Sequence, residues 1–180
     1  MSLDGFAAGP KGELDMFPVG EEFFELSEML TERADTALYG KGTYHIMNSY
    51  WPTAANKPNA SKHDIKHSEW YNRVDKYVLS TTLKDVTDPK TKVIRTNVVA
   101  EITKLKQEKE KAIQIFGSPG VVRSLMQENL IDEYWIFIAP TLIGKGLPLF
   151  AGIKGKVNLK LLSTKAFGSG ITASHYEKLI

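Results

Sequence analysis

The sequence contains no cysteine, and this absence removes several kinds of chemistry at once. Disulfides, thiolate nucleophiles, cysteine zinc sites and iron–sulfur clusters all need that side chain. No apolar run reaches the length of about 18 residues that a membrane-spanning helix requires, and the first five residues lack the basic and apolar stretches of a signal peptide. Charge is nearly balanced, with 23 Lys and Arg against 21 Asp and Glu, which disfavours nucleic acid and anionic membranes as partners. We therefore expect a cytoplasmic globular protein.

The composition that remains is that of a well-packed domain. The chain has 180 residues, of which 42% are hydrophobic, so a single domain over residues 1–180 with a substantial core is expected. The longest loop-like stretch, residues 52–62, is too short to separate two domains.

Hydrophobic periodicity predicts helices that alternate with strands. The predicted helices span residues 21–33, 43–50, 62–73, 97–108 and 119–129, and the predicted strands span residues 36–39, 76–80, 93–94, 112–116, 133–139, 157–163 and 172–179. Such alternation indicates crossover connections between parallel strands. The glycine-rich turn at 168–170 joins the last two strands as an antiparallel hairpin. The predicted fold class is a three-layer α/β protein with a mostly parallel central sheet and an antiparallel C-terminal hairpin.

One strand-to-helix turn suits phosphate binding particularly well. Residues 115–122 end a strand at Gly117, which permits a tight turn, and Ser118 and Pro119 suit the start of a helix. Gly120 leaves the first helical turn bare of side chain, so backbone N–H groups and the helix dipole would face an anion. An ordinary well-capped turn explains the same pattern equally well.

Two further turns add a lysine and several hydroxyls. Residues 40–44 offer Thr43 as a helix cap and Lys41 as a positive charge, and residues 80–82 are three hydroxyl side chains in a row. Because the carboxyl ends of parallel strands share one edge of a sheet, these turns together predict a site for a ligand with several phosphates.

Other common sites are not indicated. The glycine patterns of dinucleotide-binding strands and P-loops do not occur, and neither does the nucleophile elbow of hydrolases. His63 and His67 share one helix face at a spacing of four residues, but no acidic ligand pattern accompanies them. We interpret them as part of a solvated helix face and predict no metal site.

Six segments in one order carry a family resemblance. They are Ser-Leu-Asp-Gly-Phe-Ala-Ala-Gly at 2–9, Leu-Tyr-Gly-Lys-Gly-Thr-Tyr at 38–44, Tyr-Trp-Pro at 50–52, Tyr-Val-Leu-Ser-Thr-Thr at 77–82, Phe-Gly-Ser-Pro-Gly at 116–120, and residues 130–150 with Ala-Pro-Thr-Leu-Ile-Gly-Lys-Gly-Leu-Pro-Leu-Phe at their end. They are distributed over residues 2–150, which are most of the chain. This ordered set resembles the dihydrofolate-reductase-like superfamily, and most closely the C-terminal reductase domain of bacterial riboflavin biosynthesis.

The resemblance implies a homodimeric reductase that uses NADPH as its hydride donor. Its pattern places Gly40, Lys41 and Thr43 at the cofactor phosphates, with Lys41 toward the 2′-phosphate, and Ser80 and Thr81 at the adenosine end. It assigns two further sets, Ala8 and Gly9 near the nicotinamide, and Gly117, Ser118, Pro119, Gly120, Val121 and Val122 around the pyrophosphate.

The implied substrate is a flat, polar heterocycle such as a pterin or a substituted pyrimidine, with 5-amino-6-(5-phosphoribosylamino)uracil reductase as one form of that activity. Hydride transfer to such a ring also needs a proton donor. Asp4 and Glu25, the latter on a helix with other glutamates, are the candidates, although Asp4 beside a glycine is more typical of a turn. Met47 and Trp51 are candidates for the substrate wall, with a place in the core as the alternative.

Two departures from the family pattern leave alternatives open. The apolar strand that precedes Ser-Leu-Asp-Gly in the family has no counterpart here, so we expect a central strand to be missing. Lys11 is the only basic residue near the first loop, which leaves a phosphorylated substrate undecided. A nucleotide-binding protein without catalysis, or a purely structural protein without cofactor affinity, are therefore the competing hypotheses.

Overall fold

The computed structural model describes residues 1–179, and the chain divides into two compact units. The first unit comprises Met1–Phe23 together with the chain from Val122 onward, and the second comprises Phe24–Val121. The two divisions fall inside helix α1 (Glu21–Glu32) and helix α5 (Pro119–Gln127). Each unit has its own sheet and is described separately.

The second unit is a parallel sheet with helices in its connections. Its strands run side by side in the order β4-β3-β2-β5, and every neighbouring pair is parallel. The elements in chain order are β2 (Ala34–Gly40), α2 (Lys41–Tyr50), a 3-10 helix (Trp51–Asn56), α3 (Lys62–Arg73), β3 (Asp75–Leu79), β4 (Thr91–Ile94), α4 (Val98–Glu108) and β5 (Ala112–Ile115). The carboxyl ends of all four strands therefore lie at one edge.

Strand β2 is an inner strand of the sheet and is covered on both faces. Four of its residues in succession are buried, as a strand covered on both sides requires. Tyr39 of β2 and Val78 of the adjacent strand β3 are fully buried. They pack with Trp70 and Tyr71 of α3 in the core of this unit. The indole of Trp70 also donates a hydrogen bond to the Ala34 carbonyl at 3.0 Å, so the helix is tied to the sheet by polar as well as apolar contact.

Helix α3 is held at both ends. At its start, Ser61 and Asp64 form a reciprocal capping box. At its end, the Lys76 ammonium donates to the carbonyls of Tyr71 at 2.8 Å and Val74 at 3.0 Å. The Lys90 ammonium donates to the carbonyls of residues 72 and 73 at 3.2 and 2.9 Å. Two lysines thus satisfy four carbonyls that the end of a helix leaves without partners.

The interpretation of His63 and His67 as a solvated face is wrong for His67. That side chain is only 4% exposed, and its ring lies 4.0 Å from the Trp51 ring and 5.7 Å from the Phe116 ring, measured between centroids. His63 stacks on Phe24 at 4.2 Å. The polar sequence of α3 conceals an aromatic contact face, because histidine is counted as polar although its ring packs like an apolar one. Within the described residues, no cluster of three or more potential metal ligands occurs.

The first unit is built on antiparallel strands. Its larger sheet has the order β6-β9-β8 and comprises β6 (Glu133–Ile138), β8 (Leu159–Ala166) and β9 (Thr172–Lys178). The predicted C-terminal hairpin is confirmed, since β8 pairs antiparallel with β9. A small second sheet pairs β1 (Phe6–Ala8) with β7 (Leu147–Pro148), and neither strand was predicted because both are very short. Among residues 1–179, no helix is both long enough and apolar enough to cross a membrane.

The predicted elements agree with the structure in kind but not always in length. Strand β2 is longer than the predicted 36–39, and α2 begins at Lys41, two residues earlier than predicted. The stretch predicted as a loop at 52–62 begins with a 3-10 helix, Trp51–Asn56. Strand β8 lies at 159–166 rather than 157–163, because the pairing with β9 sets its bounds.

Gly146 is expected to be intolerant of any side chain. A methyl group there would overlap the carbonyl oxygen of Ala8 and would lie 3.1 Å from the Phe6 Cβ. Because a backbone atom cannot move aside without breaking the contact between β1 and β7, Gly146→Ala should lower the free energy of unfolding by about 3 kcal/mol. Urea denaturation followed by circular dichroism measures this change.

Gly20→Ala is the matched control, because among the described residues nothing lies within 4 Å of the added carbon. It should change the free energy of unfolding by no more than about 0.5 kcal/mol. Equal stability of the two variants would contradict the close approach at Gly146.

Candidate functional site

The candidate site lies in the second unit, where four parallel strands end at one edge of the sheet. The turns that follow β2, β3 and β5 are the three turns that the sequence predicts as a phosphate site. Two side-chain hydrogen bonds connect them. Lys41 Nζ donates to Thr82 Oγ1 at 3.3 Å, and the Gly40 N–H donates to Ser118 Oγ at 3.1 Å. The structure therefore brings together residues that are about forty and eighty positions apart in the sequence.

The first turn passes from β2 directly into α2. Gly40 is the last strand residue and also the N-cap of the helix. Thr43 does not act as the cap that the sequence predicts, since within the described chain no side chain caps this helix. The early start of α2 explains this, because Thr43 already lies in its first turn. The open backbone N–H groups at the helix start are consequently available for an anion.

The second turn, at Ser80–Thr82, is ordered by its own hydroxyl. Ser80 Oγ accepts hydrogen bonds from the backbone N–H groups of Thr82 at 3.2 Å and Leu83 at 3.0 Å. Thr81 and Thr82 are exposed at the same place. The guanidinium of Arg95, which follows β4, donates to the Leu83 carbonyl at 2.7 Å. No local sequence pattern indicates Arg95 as a site residue, because only the pairing of β3 with β4 brings it beside this turn.

The third turn follows β5 and opens α5. Gly117 and Ser118 both have left-handed backbone angles, with φ of +51° and +49°. The tight turn predicted at Gly117 is therefore confirmed. The hydroxyl of Ser118 accepts a hydrogen bond from the Gly40 N–H. It therefore joins two turns and does not cap its own helix as predicted.

Open space surrounds three of the glycines of these turns. A Cβ added at Gly42, Gly117 or Gly120 would meet no atom within 4 Å among residues 1–179. Pro119 and Val121 follow within the first turn of α5, which continues to Val122. Bare backbone at two helix starts, hydroxyl groups and the Lys41 ammonium together suit a ligand that carries several phosphates.

In the first unit, Asp4 holds a loop. Its carboxylate accepts hydrogen bonds from the backbone N–H groups of Ile143 at 3.2 Å and Gly144 at 2.7 Å. Hydrogen bonding from Ser2, followed by these amides, lowers the pKa of the Asp4 carboxyl below its ordinary value. An ionised carboxylate carries no proton to donate, so this geometry favours the turn-stabilising role over the catalytic one.

Two more predicted residues, Ala8 and Gly9, lie in the same unit. Ala8 is buried in β1 and pairs with Leu147, and the Gly9 N–H donates to the Glu13 carbonyl at 2.9 Å. Both belong to an ordered segment of backbone. Their predicted place near a nicotinamide stays a prediction.

The remaining predicted residues lie in the second unit. Glu25 is exposed on α1, while Met47 and Trp51 are partly buried against the core that contains Trp70. The Trp51 ring contacts both His67 and His63, the latter edge-on at 5.6 Å. This packing supplies the core role that the sequence left open for Met47 and Trp51, and their substrate role stays a prediction.

The sequence matches one known protein family over nearly its whole length. Residues 1–173 match the model of the RibD C-terminal domain family. This chain belongs to that family. The Bacillus subtilis protein YyaP is 30% identical over 178 residues, which are 98% of this chain and 90% of YyaP. The family relationship predicted from the six segments is thereby confirmed.

Solved structures agree with the fold. A candidate riboflavin biosynthesis protein from Shewanella sp. PV-4 is similar with a TM-score of 0.75 and 22% identity, covering 100% of this chain and 96% of that one. Dihydrofolate reductase from Enterococcus faecalis, in complex with NADP(H), is similar with a TM-score of 0.59 and 16% identity, covering 96% and 89% of the two chains. The dihydrofolate-reductase-like α/β fold is therefore confirmed.

Proposed function

We propose that the protein is an NADPH-dependent reductase of a pterin-like or pyrimidine-like heterocycle, with 5-amino-6-(5-phosphoribosylamino)uracil reductase as one form of that activity. Membership of the RibD C-terminal domain family supports a reductase. The proposal also includes a cytoplasmic homodimer that acts on a small molecule and binds neither nucleic acid nor membranes. The nearly balanced charge supports the last point, and the exposed Leu161 and Leu162 of β8 support the dimer.

One observation carries the cofactor assignment. The three turns at the carboxyl edge of the parallel sheet are joined by the Lys41–Thr82 and Gly40–Ser118 hydrogen bonds. In this proposal Gly40, Lys41 and Thr43 hold the 2′-phosphate side, Ser80 and Thr81 line the adenosine, and the six residues 117–122 cradle the pyrophosphate. The open space at Gly42, Gly117 and Gly120 fits close approach of phosphate oxygens to backbone N–H groups.

In this proposal the protein itself contributes little covalent chemistry. When bound, the reduced nicotinamide supplies a hydride, and the protein has to hold the substrate carbon at attack distance. Ala8 and Gly9 are proposed to border the nicotinamide, and Met47 and Trp51 to border the substrate. Glu25 or Asp4 is proposed as the source of the proton, with Glu25 favoured because Asp4 already accepts two backbone hydrogen bonds.

A thermal-shift titration with NADPH and NADH in parallel tests the cofactor. At a concentration of about 100 times its Kd, NADPH should stabilise the fold by roughly 2.7 kcal/mol, which raises Tm by about 5–10 °C. Lys41→Ala should weaken NADPH binding about tenfold and leave NADH binding nearly unchanged, because the ammonium is proposed to contact the 2′-phosphate.

Lys62→Ala is a suitable control, since this lysine is exposed at the start of α3, outside the three turns. It should bind NADPH like the natural protein. No stabilisation by either nucleotide would reject the reductase proposal, and an equal loss of both nucleotides in Lys41→Ala would reject the role of that lysine.

A nucleotide-binding protein without catalysis is the second candidate. It is favoured by the engagement of Asp4 in a loop and by the exposure of Glu25, which leave the proton donor unassigned. The two candidates differ in one result. The reductase oxidises NADPH in the presence of a pterin or pyrimidine substrate, whereas the inactive protein binds NADPH with the same affinity and leaves it reduced.

A further inference from the structure

Ser118 is held in a conformation that costs energy. Its φ of +49° lies in the left-handed region, and its side chain is almost fully buried at 4% exposure. For a residue with a Cβ, this backbone region is disfavoured by about 1–2 kcal/mol. Such a conformation persists only where its surroundings hold it in place, and it often marks a functional constraint.

The interaction that holds Ser118 in place comes from the other end of the unit's sequence. Ser118 Oγ accepts the hydrogen bond of the Gly40 N–H at 3.1 Å. The pairing of β2 with β5 ends at Leu38 and Ile115, so the Gly40 amide lies beyond the last rung between these strands. The Ser118 hydroxyl provides the acceptor that strand β5 no longer supplies there.

The two turns approach each other closely at this bond. A Cβ added at Gly40 would lie 3.3 Å from Val121 Cγ2 and 4.0 Å from Ser118 Oγ. The glycine therefore permits the approach, and the Ser118 hydroxyl fixes its distance. The start of α2 and the start of α5 are thus kept at one separation.

We infer that Ser118 is a positioning residue that sets the spacing between the two phosphate-binding turns. This inference rests on the proposed function, in which Lys41 and its neighbours hold one end of a dinucleotide and the turn at Gly117–Gly120 holds its pyrophosphate. A ligand that engages both turns at once depends on their spacing. A ligand that engages only the turn at Gly40–Lys41 does not.

Two ligands separate these cases. Isothermal titration calorimetry measures the Kd of NADPH, which spans both turns, and of adenosine 2′-monophosphate, which carries neither phosphate of the pyrophosphate. In Ser118→Ala the Kd of NADPH should rise about fivefold to tenfold, which corresponds to the loss of one hydrogen bond. The Kd of adenosine 2′-monophosphate should change less than about twofold, because its proposed contacts lie at Gly40–Thr43 and Ser80–Thr81 and do not include the turn at Gly117–Gly120.

Ser118→Gly is the second variant, because glycine adopts the left-handed conformation without strain. It should fold at least as stably as Ser118→Ala and show the same selective loss of NADPH. Ser124→Ala, an exposed serine further along α5, is the control and should bind both ligands like the natural protein.

Each outcome either supports or overturns the spacing role of Ser118. A selective loss of NADPH in both variants supports the spacing role. An equal loss of both ligands means that Ser118 stabilises the fold in general, and unchanged binding means that the hydroxyl is dispensable, so either result overturns the inference. A natural protein that binds neither ligand overturns the proposed function and this inference together.

Discussion

Replacing Lys76 with methionine is expected to lower the free energy of unfolding by about 3 kcal/mol. Lys76 is 1% exposed, and its ammonium donates to two carbonyls at the end of α3. It also lies 3.1 Å from the Asp88 carboxylate. All three ammonium hydrogens therefore have acceptors, so the buried charge is stabilised by its surroundings.

The loss should be large because methionine fills nearly the same volume but leaves these acceptors without a donor. Asp88 would keep the bonds from the Lys90 amide and the Thr91 hydroxyl, and its side chain is 27% exposed, so water would relieve part of the cost. For this reason the expected loss of stability lies at the lower end of the range for breaking a buried ion pair.

Urea denaturation of Lys76→Met and of Lys92→Met measures the effect, since Lys92 lies on the adjacent strand but is exposed. Lys92→Met should change the free energy of unfolding by less than about 1 kcal/mol. Asp88→Asn adds a second check and should give an intermediate loss. If Lys76→Met proved as stable as Lys92→Met, the proposed stabilisation of α3 by the buried lysine would be wrong.

The protein is also expected to lose stability in mild acid because of His67. Burial, and secondarily the neighbouring His63, lowers the pKa of His67 from 6.5 to about 3. Within the described chain neither ring nitrogen has a hydrogen-bond partner, so nothing stabilises the protonated ring. In the unfolded chain the same side chain takes up a proton near pH 6.5.

The sign of the effect follows from these two values. Between pH 6.5 and pH 3 the unfolded state binds a proton that the folded state does not, so stability decreases as the pH falls. Each pH unit in that window costs about 1.4 kcal/mol, which amounts to about 3 kcal/mol at pH 4.5. Above pH 6.5 both states are neutral at this position and the contribution of His67 is fully retained.

His67→Phe removes this titration and keeps an aromatic ring against Trp51 and Phe116. The free energy of unfolding, measured by urea denaturation from pH 7.5 to pH 4.5, should fall less steeply with pH in this variant. Below pH 6.5 the difference in slope should be about 1.4 kcal/mol per pH unit, which is the contribution of one proton. His45→Gln, at an exposed position of α2, should retain the natural slope. Parallel curves for the natural protein and His67→Phe would show that His67 does not titrate differently in the two states.

Strand and helix identity, and the family, could be read from the sequence because they depend on local pattern and ordered motifs. The apolar run that forms β2 and the capping box of α3 act through neighbours in the chain. The turns at Gly40, Ser80 and Gly117 were recognised for the same reason, since glycine and hydroxyl residues directly after a strand have local consequences. The predicted bounds of β8 differed from the structure, because pairing with β9 decides where the strand begins.

Tertiary structure decided the features that depend on distant residues. His67 is buried by contact with the rings of Trp51 and Phe116, and the polar sequence pattern of α3 does not indicate these contacts. The hydroxyl of Ser118 was expected to cap its own helix, and only the ending of the β2–β5 pairing gives it the Gly40 amide instead. Arg95 becomes part of the site through the pairing of β3 with β4. A sequence specifies which groups are present, whereas hydrogen-bond partners and burial depend on which segments the fold brings into contact.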